Sequence, residues 1–513
     1  MPRCACYPTR MLRRLSLIVW LGAAAWASAC AEDRAPKPEK DIFSSLPAAR
    51  SAEILRERLN DLATKTRPEA CIRPVISGDP LSGSGYDDFA AVFGFGSAKE
   101  YSQCRALLEK HRGDIDFPLD DRDEFPHRSG GVLFDFPDDL DEEELFRLET
   151  ACGGILSLMQ RAIQHEDVCG PSWPTVFDTN GNIDNVGAVA DLADYTALRA
   201  GSTFERGGFE EGCSRSFEML RFKQDVSRGY RGFMMQVAVV AGSQITTAFL
   251  ERALHQPGDI PEDQLLDLDS RLKAIVANRP SPRVLLMSTV LYDAKRGRSY
   301  LDGMGTTDAT ADTAEGISPL YGNGNDFQTI LILRSAWLRS RIYQGLCPRS
   351  AKEAECLAGL VGFDAQAEAW RARQSDPVAT ILDKVRLFTD HDHGRDQIDD
   401  LLIYGFPATR SLVYETAELA FSLAALRVLT RYRLEAQREG VCPGSDIFDS
   451  YELDDTMIDP ASGDHLRVEE IAPGKFVIRP SHDLFDGFGE ASRPAIFIDC
   501  PFDGFGASAG RRP

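Results

Sequence analysis

The stretch "PEDQLLDLDSRLKAIVANRP", residues 261–280, decides the fold class. Leu265, Leu268, Leu272 and Ile275 recur at steps of three and four residues, the spacing that lines side chains along one face of an α-helix. Pro261 suits the first turn, where its missing N–H is no loss, and Asn278 followed by Pro280 closes the segment. The same period continues on either side, through Glu142 to Gln164, Tyr230 to His255, Arg283 to Leu301 and Phe327 to Leu346. These stripes predict a mainly α chain, with an irregular helical array over residues 48–407. Between them lie breaker-rich loops. The longest is "DGMGTTDATADTAEGISPLYGNGND", Asp302 to Asp326, a length expected of a mobile or functional loop.

The last hundred residues change character, and residues 408–513 read as a separate α+β unit. A long helix is expected from about Thr409 to Glu439, with Leu412, Leu419, Leu423 and Leu426 on one stripe and Gly440 as its terminator. Short alternating runs follow. His465 to Glu470 and Lys475 to Arg479 flank Pro473-Gly474 as a β-hairpin, and Ala495 to Asp499 offers another strand. The unit is therefore a long helix with about three antiparallel strands.

At the other end, Arg10, Arg13 and Arg14 precede an apolar run from Leu15 to Ala29, about the length of a signal h-region and short for a bilayer span. Residues 1–29 read as a signal peptide, with Met11 a more typical start than Met1. The run "FMMQVAVVAGSQITTAFL" is broken by Gln236, Ser243 and Gln244, so no transmembrane helix is expected in the mature chain. Ala27-Ser28-Ala29 satisfies the small-x-small rule of ordinary signal peptidase, while "ASAC" ending at Cys30 resembles a bacterial lipobox, with Ala27 where leucine is usual. The polar "AEDRAPKPEK" that follows is suited to a tether, and residues 30–47 are read as a lipidated linker. The resemblance implies acylation of Cys30, and Ala31 after it implies the outer membrane, facing the periplasm or the surface.

Charge narrows the partners. Removing residues 1–29, which hold four arginines and no acid, takes the net charge from −22 to −26. Such a field repels phosphate backbones and anionic headgroups, so nucleic acid is excluded as a partner and the membrane is reached through the anchor alone. The acidic runs at Asp120 to Glu124 and Asp138 to Glu144 read as a solvated loop and an acidic first helical turn.

Beyond Cys30 the chain has nine cysteines: Cys71, Cys104, Cys152, Cys169, Cys213, Cys347, Cys356, Cys442 and Cys500. An odd count in an oxidising compartment leaves one thiol over. No CxxC spacing occurs, which removes a zinc ribbon or thioredoxin-type centre. The stretch "ALRAGSTFERGGFEEGCSRSFEML", residues 197–220, resembles a tetratricopeptide (TPR-like) hairpin through Gly201, Phe204, Gly208 and Phe217; an αα-hairpin of no named family is the other reading. By that resemblance Cys213 occupies the small position at the helix crossing and is the thiol left over. Eight cysteines allow 105 pairings. Closeness in sequence suggests Cys347 with Cys356, Cys152 with Cys169, and Cys442 with Cys500, leaving Cys71 with Cys104.

The stretch "TDHDHGRDQIDD" invites a chemical reading, because His391 and His393 alternate with Asp390 and Asp392, ligands suited to a divalent transition metal. The other reading is a solvated turn with an aspartate helix cap. "DTNGNID", Asp178 to Asp184, is a tight turn more simply than a calcium loop, since Ile183 stands where an EF-hand needs glycine. His165 is expected at a helix end, complementing its dipole. No GxSxG, HExxH or P-loop occurs.

Tyr432-Arg433, Asp459-Pro460, Gly463, Leu466, Gly474 and Phe476 give the carboxy-terminal unit an order that resembles the major pseudopilin of type II secretion. That resemblance implies a calcium-binding loop with Asp483 and Asp486 as its acids; because the helix is internal, pilus assembly is not implied. The chain as a whole resembles uncharacterised exported bacterial helical lipoproteins. The reading favoured is an envelope lipoprotein working through contacts with other envelope proteins rather than through chemistry. Its alternatives are a metal-dependent hydrolase using His391 and His393, and a calcium-stabilised accessory component of a secretion system.

Overall fold

Helical hydrogen bonding organises most of the described residues in the computed structural model. It describes residues 48–92, 103–108, 142–169, 192–229, 246–304, 324–374, 393–440, 457–480 and 496–499, apart from short gaps, and isolated positions such as Trp173 and Phe448. In chain order the elements are α1 (Ala48–Cys71), β1 (Leu81–Ser84), α2 (Tyr86–Ala90), α3 (Glu142–Ala162), β2 (His165–Asp167), α4 (Phe209–Gly229), α5 (Glu262–Ala277), α6 (Pro282–Met304), α7 (Gly324–Leu346), α8 (Glu353–Gln374), α9 (His393–Glu439), β3 (Arg467–Ala472), β4 (Lys475–Arg479) and β5 (Ile496–Asp499). The residues expected to form a signal segment and tether, with Cys30, lie outside the described residues. Among the described residues no helix is long and apolar enough to cross a membrane.

The diagnostic stripe forms α5 as its spacing requires. Leu265, Leu268, Leu272 and Ile275 are all buried, while Leu266, on the other side, is 48% exposed. Glu262 and Asp263 place negative charge in the first turn, where the exposed N–H groups favour it. At the other end Ala274 O accepts both the backbone N–H of Asn278 at 3.1 Å and its side-chain amide at 2.8 Å, closing the last turn.

Two apolar cores follow from the packing. The first joins α1 (Leu55, Leu59), α3 (Leu148, Met159), α6 (Met287, Val290), α7 (Ala336, Tyr343) and α8 (Leu357, Leu360). The second joins Phe217 and Leu220 of α4, Leu250 and Leu254, the α5 stripe, the α9 face carrying Phe421, Leu426 and Leu429, and Phe476, Ile478, Ile496 and Ile498 of the sheet. Helix α4 serves both cores, since Met219, Phe222 and Val226 face the first. The carboxy-terminal strands thus share a core with residues 200–276. Strands β3, β4 and β5 pair antiparallel in that order, with Arg467 opposite Arg479 and Phe476 opposite Ile498. Tyr432 of α9, Phe448 and Phe476 form an aromatic group with ring centroids 5.1 to 5.7 Å apart, fastening the sheet to the helix.

Three expectations are corrected. Helix α9 begins at His393 rather than near Thr409 and carries Pro407 inside it; Ile398, Leu401 and Leu402 already repeat at helical steps upstream of the proline. Helix α7 begins at Gly324, inside the expected long loop. The cysteines pair as Cys71–Cys169 and Cys104–Cys152, replacing Cys71 with Cys104 and Cys152 with Cys169. Cys152 lies on α3 and Cys169 beyond β2; the parallel pairing of β2 with β1 turns the chain so that Cys169 meets the end of α1. Cys347 and Cys356 are both thiols, and Cys442 and Cys500 lie outside the described residues.

The helical hairpin read from residues 197–220 is present as helical residues 199–204, a turn at Arg206, and α4. Cys213 is buried as a thiol in the second core, but the closest approach falls one residue earlier. A Cβ on Gly212 would lie 2.5 Å from Phe204 Cε1. Gly212→Ala is therefore expected to destabilise the protein by about 1–3 kcal/mol, against the usual gain for a helical glycine. Gly153 in α3, where an added Cβ would meet nothing among the described residues, is expected to gain about 0.5–1 kcal/mol as alanine. Urea midpoints of the two variants should move in opposite directions.

Candidate functional site

Among the described residues, a dense convergence of charged side chains surrounds Asp225, near the end of α4. Residues 221–228 are all buried, although "RFKQDVSR" is mostly polar. Asp225 is 0% exposed and accepts a two-pronged interaction from Arg73, Nε to Oδ1 at 2.9 Å and Nη2 to Oδ2. Arg221 Nε lies 3.5 Å from the same carboxylate.

The arginines also serve backbone carbonyls that helix ends leave over. Arg73 Nη2 donates to Ile163 O at 2.7 Å, just beyond α3, and Arg221 Nη2 to Pro74 O at 2.8 Å. Arg228 reaches Glu69 O and Ala70 O in the last turn of α1, and Asn278 O at the end of α5. Several cations around one carboxylate leave excess positive charge in a dry place. Burial pushes the Arg221 guanidinium down to about 9, and Arg73 and Arg228 push the same way, while Asp225 opposes them. Burial likewise lowers Arg228.

The disulfide Cys71–Cys169 borders this cluster. Val168 N donates to Cys71 O at 3.0 Å and Arg73 N to Glu166 O at 3.1 Å, fixing the exit of α1 against β2. Asp167 Oδ1 accepts from Cys169 N at 3.1 Å, and its Oδ2 from Arg67 at 2.8 Å. His165 stands in β2, not at a helix end as expected from the sequence, because α3 closes at Ala162. Its Nε2 lies 3.2 Å from Asp88 Oδ2, and Asp88 Oδ1 meets Arg161 at 3.2 Å. This is a carboxylate–imidazole pair, yet the nearby Ser84 Oγ donates to Cys169 O at 2.7 Å. That hydrogen bond braces the strand pair.

A second ionic group ties α5 to α9. The buried Arg427 holds both oxygens of Asp269 at 2.8 and 3.2 Å, and Arg431 adds a contact at 3.4 Å. Two residues beyond Arg431, Arg433 donates to Leu254 O and Gly258 O, in a setting that lowers its pKa through burial.

Of the residues singled out from the sequence, His391, Asp483 and Asp486 lie outside the described residues, as do Asp390, Asp392 and the Asp178 to Asp184 turn. His393 is the first residue of α9; its side chain is also outside the described residues. Among the described residues no group of three or more histidine, cysteine, aspartate or glutamate side chains could hold a metal ion. The Asp225 cluster was not foreseen, because arginine and aspartate at helical steps carry the same signal as a solvated face. No protein-family model matches the chain, and neither a curated protein nor a solved structure matches it.

Proposed function

We propose that this is an exported cell-envelope lipoprotein, anchored in the outer membrane through Cys30, whose helices form an irregular TPR-like array that works by contact with other envelope proteins. The observation that carries the reading is the pair of disulfides, Cys71–Cys169 and Cys104–Cys152, in the first core. Such bonds persist in oxidising compartments and are rare in the cytosol. They accompany a basic, then apolar leader that ends in "ASAC" and a charged, proline-containing tether. The array is supported by the 199–229 hairpin, with Phe204 against Gly212, and by Gly201, where an added Cβ would lie 2.7 Å from Phe249 of the next helical segment. A role in contacts is supported by the buried arginine clusters, which engage carboxylates and helix-end carbonyls and so stiffen a scaffold.

The test is the anchor cysteine. Cys30→Ser is expected to shift the protein from the membrane fraction to the soluble periplasmic fraction with its Tm unchanged. Wild-type protein found soluble, or a variant still sedimenting with membranes, contradicts the proposal.

A further inference from the structure

The turn between α7 and α8 brings two more cysteines together. Cys347 follows the last residue of α7, and Cys356 lies in the first turn of α8. Both are buried in the first core, and the neighbouring Cys356 side chain together with burial pushes the Cys347 thiol up. The backbone around them is held on every side. Cys347 N donates to Tyr343 O at 2.8 Å, Arg283 Nη1 donates to Cys347 O at 2.8 Å, and Cys356 N donates to Lys352 O at 3.1 Å. Arg279 grips both oxygens of Glu353, in the same turn as Cys356. A Cβ on Gly359 would lie 3.2 Å from Leu346 O, so α8 packs directly on the end of α7. The fold therefore sets the two cysteines at one helix junction and holds the backbone of both in place.

We propose that Cys347 and Cys356 are oxidised to a third disulfide as the exported chain folds. The step rests on the export reading and needs an accessible disulfide of a thiol–disulfide oxidoreductase as electron acceptor. One cysteine thiolate attacks that disulfide, forming a mixed disulfide and releasing one carrier thiol. The second thiolate then displaces the other carrier sulfur, and the S–S bond closes in this chain. Two electrons and two protons pass to the carrier, whose disulfide becomes two thiols. Exchange must precede final packing, because the thiolate is the reactive form and, in the finished core, the neighbouring Cys356 side chain and burial push the Cys347 thiol up. The contrast is Cys213, a thiol buried in the other core with no second free cysteine beside it among the described residues.

Trypsin separates the two positions by cutting after Arg349 and Lys352. Full-length protein from an exporting host is denatured without reductant, alkylated with N-ethylmaleimide, digested and mapped by mass spectrometry. The expected result is a disulfide-linked pair of peptides, residues 342–349 with 353–371, and Cys213 alkylated. Alkylated Cys347 and Cys356 in molecules whose Cys71–Cys169 link is intact would overturn the third disulfide and leave export standing. Alkylation of all six of these cysteines, Cys104 and Cys152 included, would overturn both. In Cys356→Ala, Cys347 should become alkylated; a Cys347 cross-linked to any other cysteine also refutes the pairing.

Discussion

Asp225→Ala is expected to destabilise the protein by about 3–5 kcal/mol, because it leaves buried guanidinium groups without their carboxylate. Arg73 loses both of its prongs and Arg221 its nearest counter-charge. The sign follows from Arg221: a cation held down to about 9 in the folded state opposes folding at neutral pH, and Asp225 is the group that offsets it. A loss of that size is a large share of the stability of an ordinary domain. Arg73→Met combined with Asp225→Ala should recover part of it, since the pair is then removed together rather than broken. Chemical denaturation of the single and double variants measures the coupling. A single-variant loss under about 1 kcal/mol would mean that Asp225 is not the counter-ion of this cluster.

Opening Cys71–Cys169, as the paired change to alanine, is expected to remove about 4 kcal/mol. Its cysteines are 98 residues apart, and the closure entropy of so long a loop is large. Cys104–Cys152 spans 48 residues, and halving a loop changes that entropy by only about 0.6 kcal/mol. The longer bridge should nonetheless matter by more than this difference, because it borders the Arg73 cluster and holds the exit of α1 to β2. Denaturant midpoints of the two double-alanine variants compare them. Losses that differ by only about 0.6 kcal/mol would show that the bridge acts through loop closure alone.

Those two sites also mark where sequence reading stops. The α5 stripe, the end of α9 at Gly440 and the β3–β4 hairpin were legible because each is a local pattern repeated along one face. Strands β1 and β2 have four and three residues, too few for a period of two to show. Closeness in sequence therefore points Cys169 to Cys152, whereas the parallel strands carry it to Cys71. The stretch 221–228 failed for the opposite reason. Its charges made it read as solvent-facing, and only tertiary structure reveals that Arg73, the helix-end carbonyls and Asp225 satisfy one another. Cys213 is buried as a thiol, yet the residue that sets the helix separation is Gly212, whose lack of a side chain leaves room for Phe204.

The account stands or falls on the state of Cys30. The direct measurement is mass spectrometry of the amino-terminal peptide of the protein isolated from membranes of an exporting host. The account predicts a chain that begins at Cys30 with a diacylglyceryl group on its sulfur, with Cys71 linked to Cys169 in the same molecules. An unmodified amino terminus at Cys30 or Ala31, or Cys30 in a disulfide with another cysteine, would contradict it.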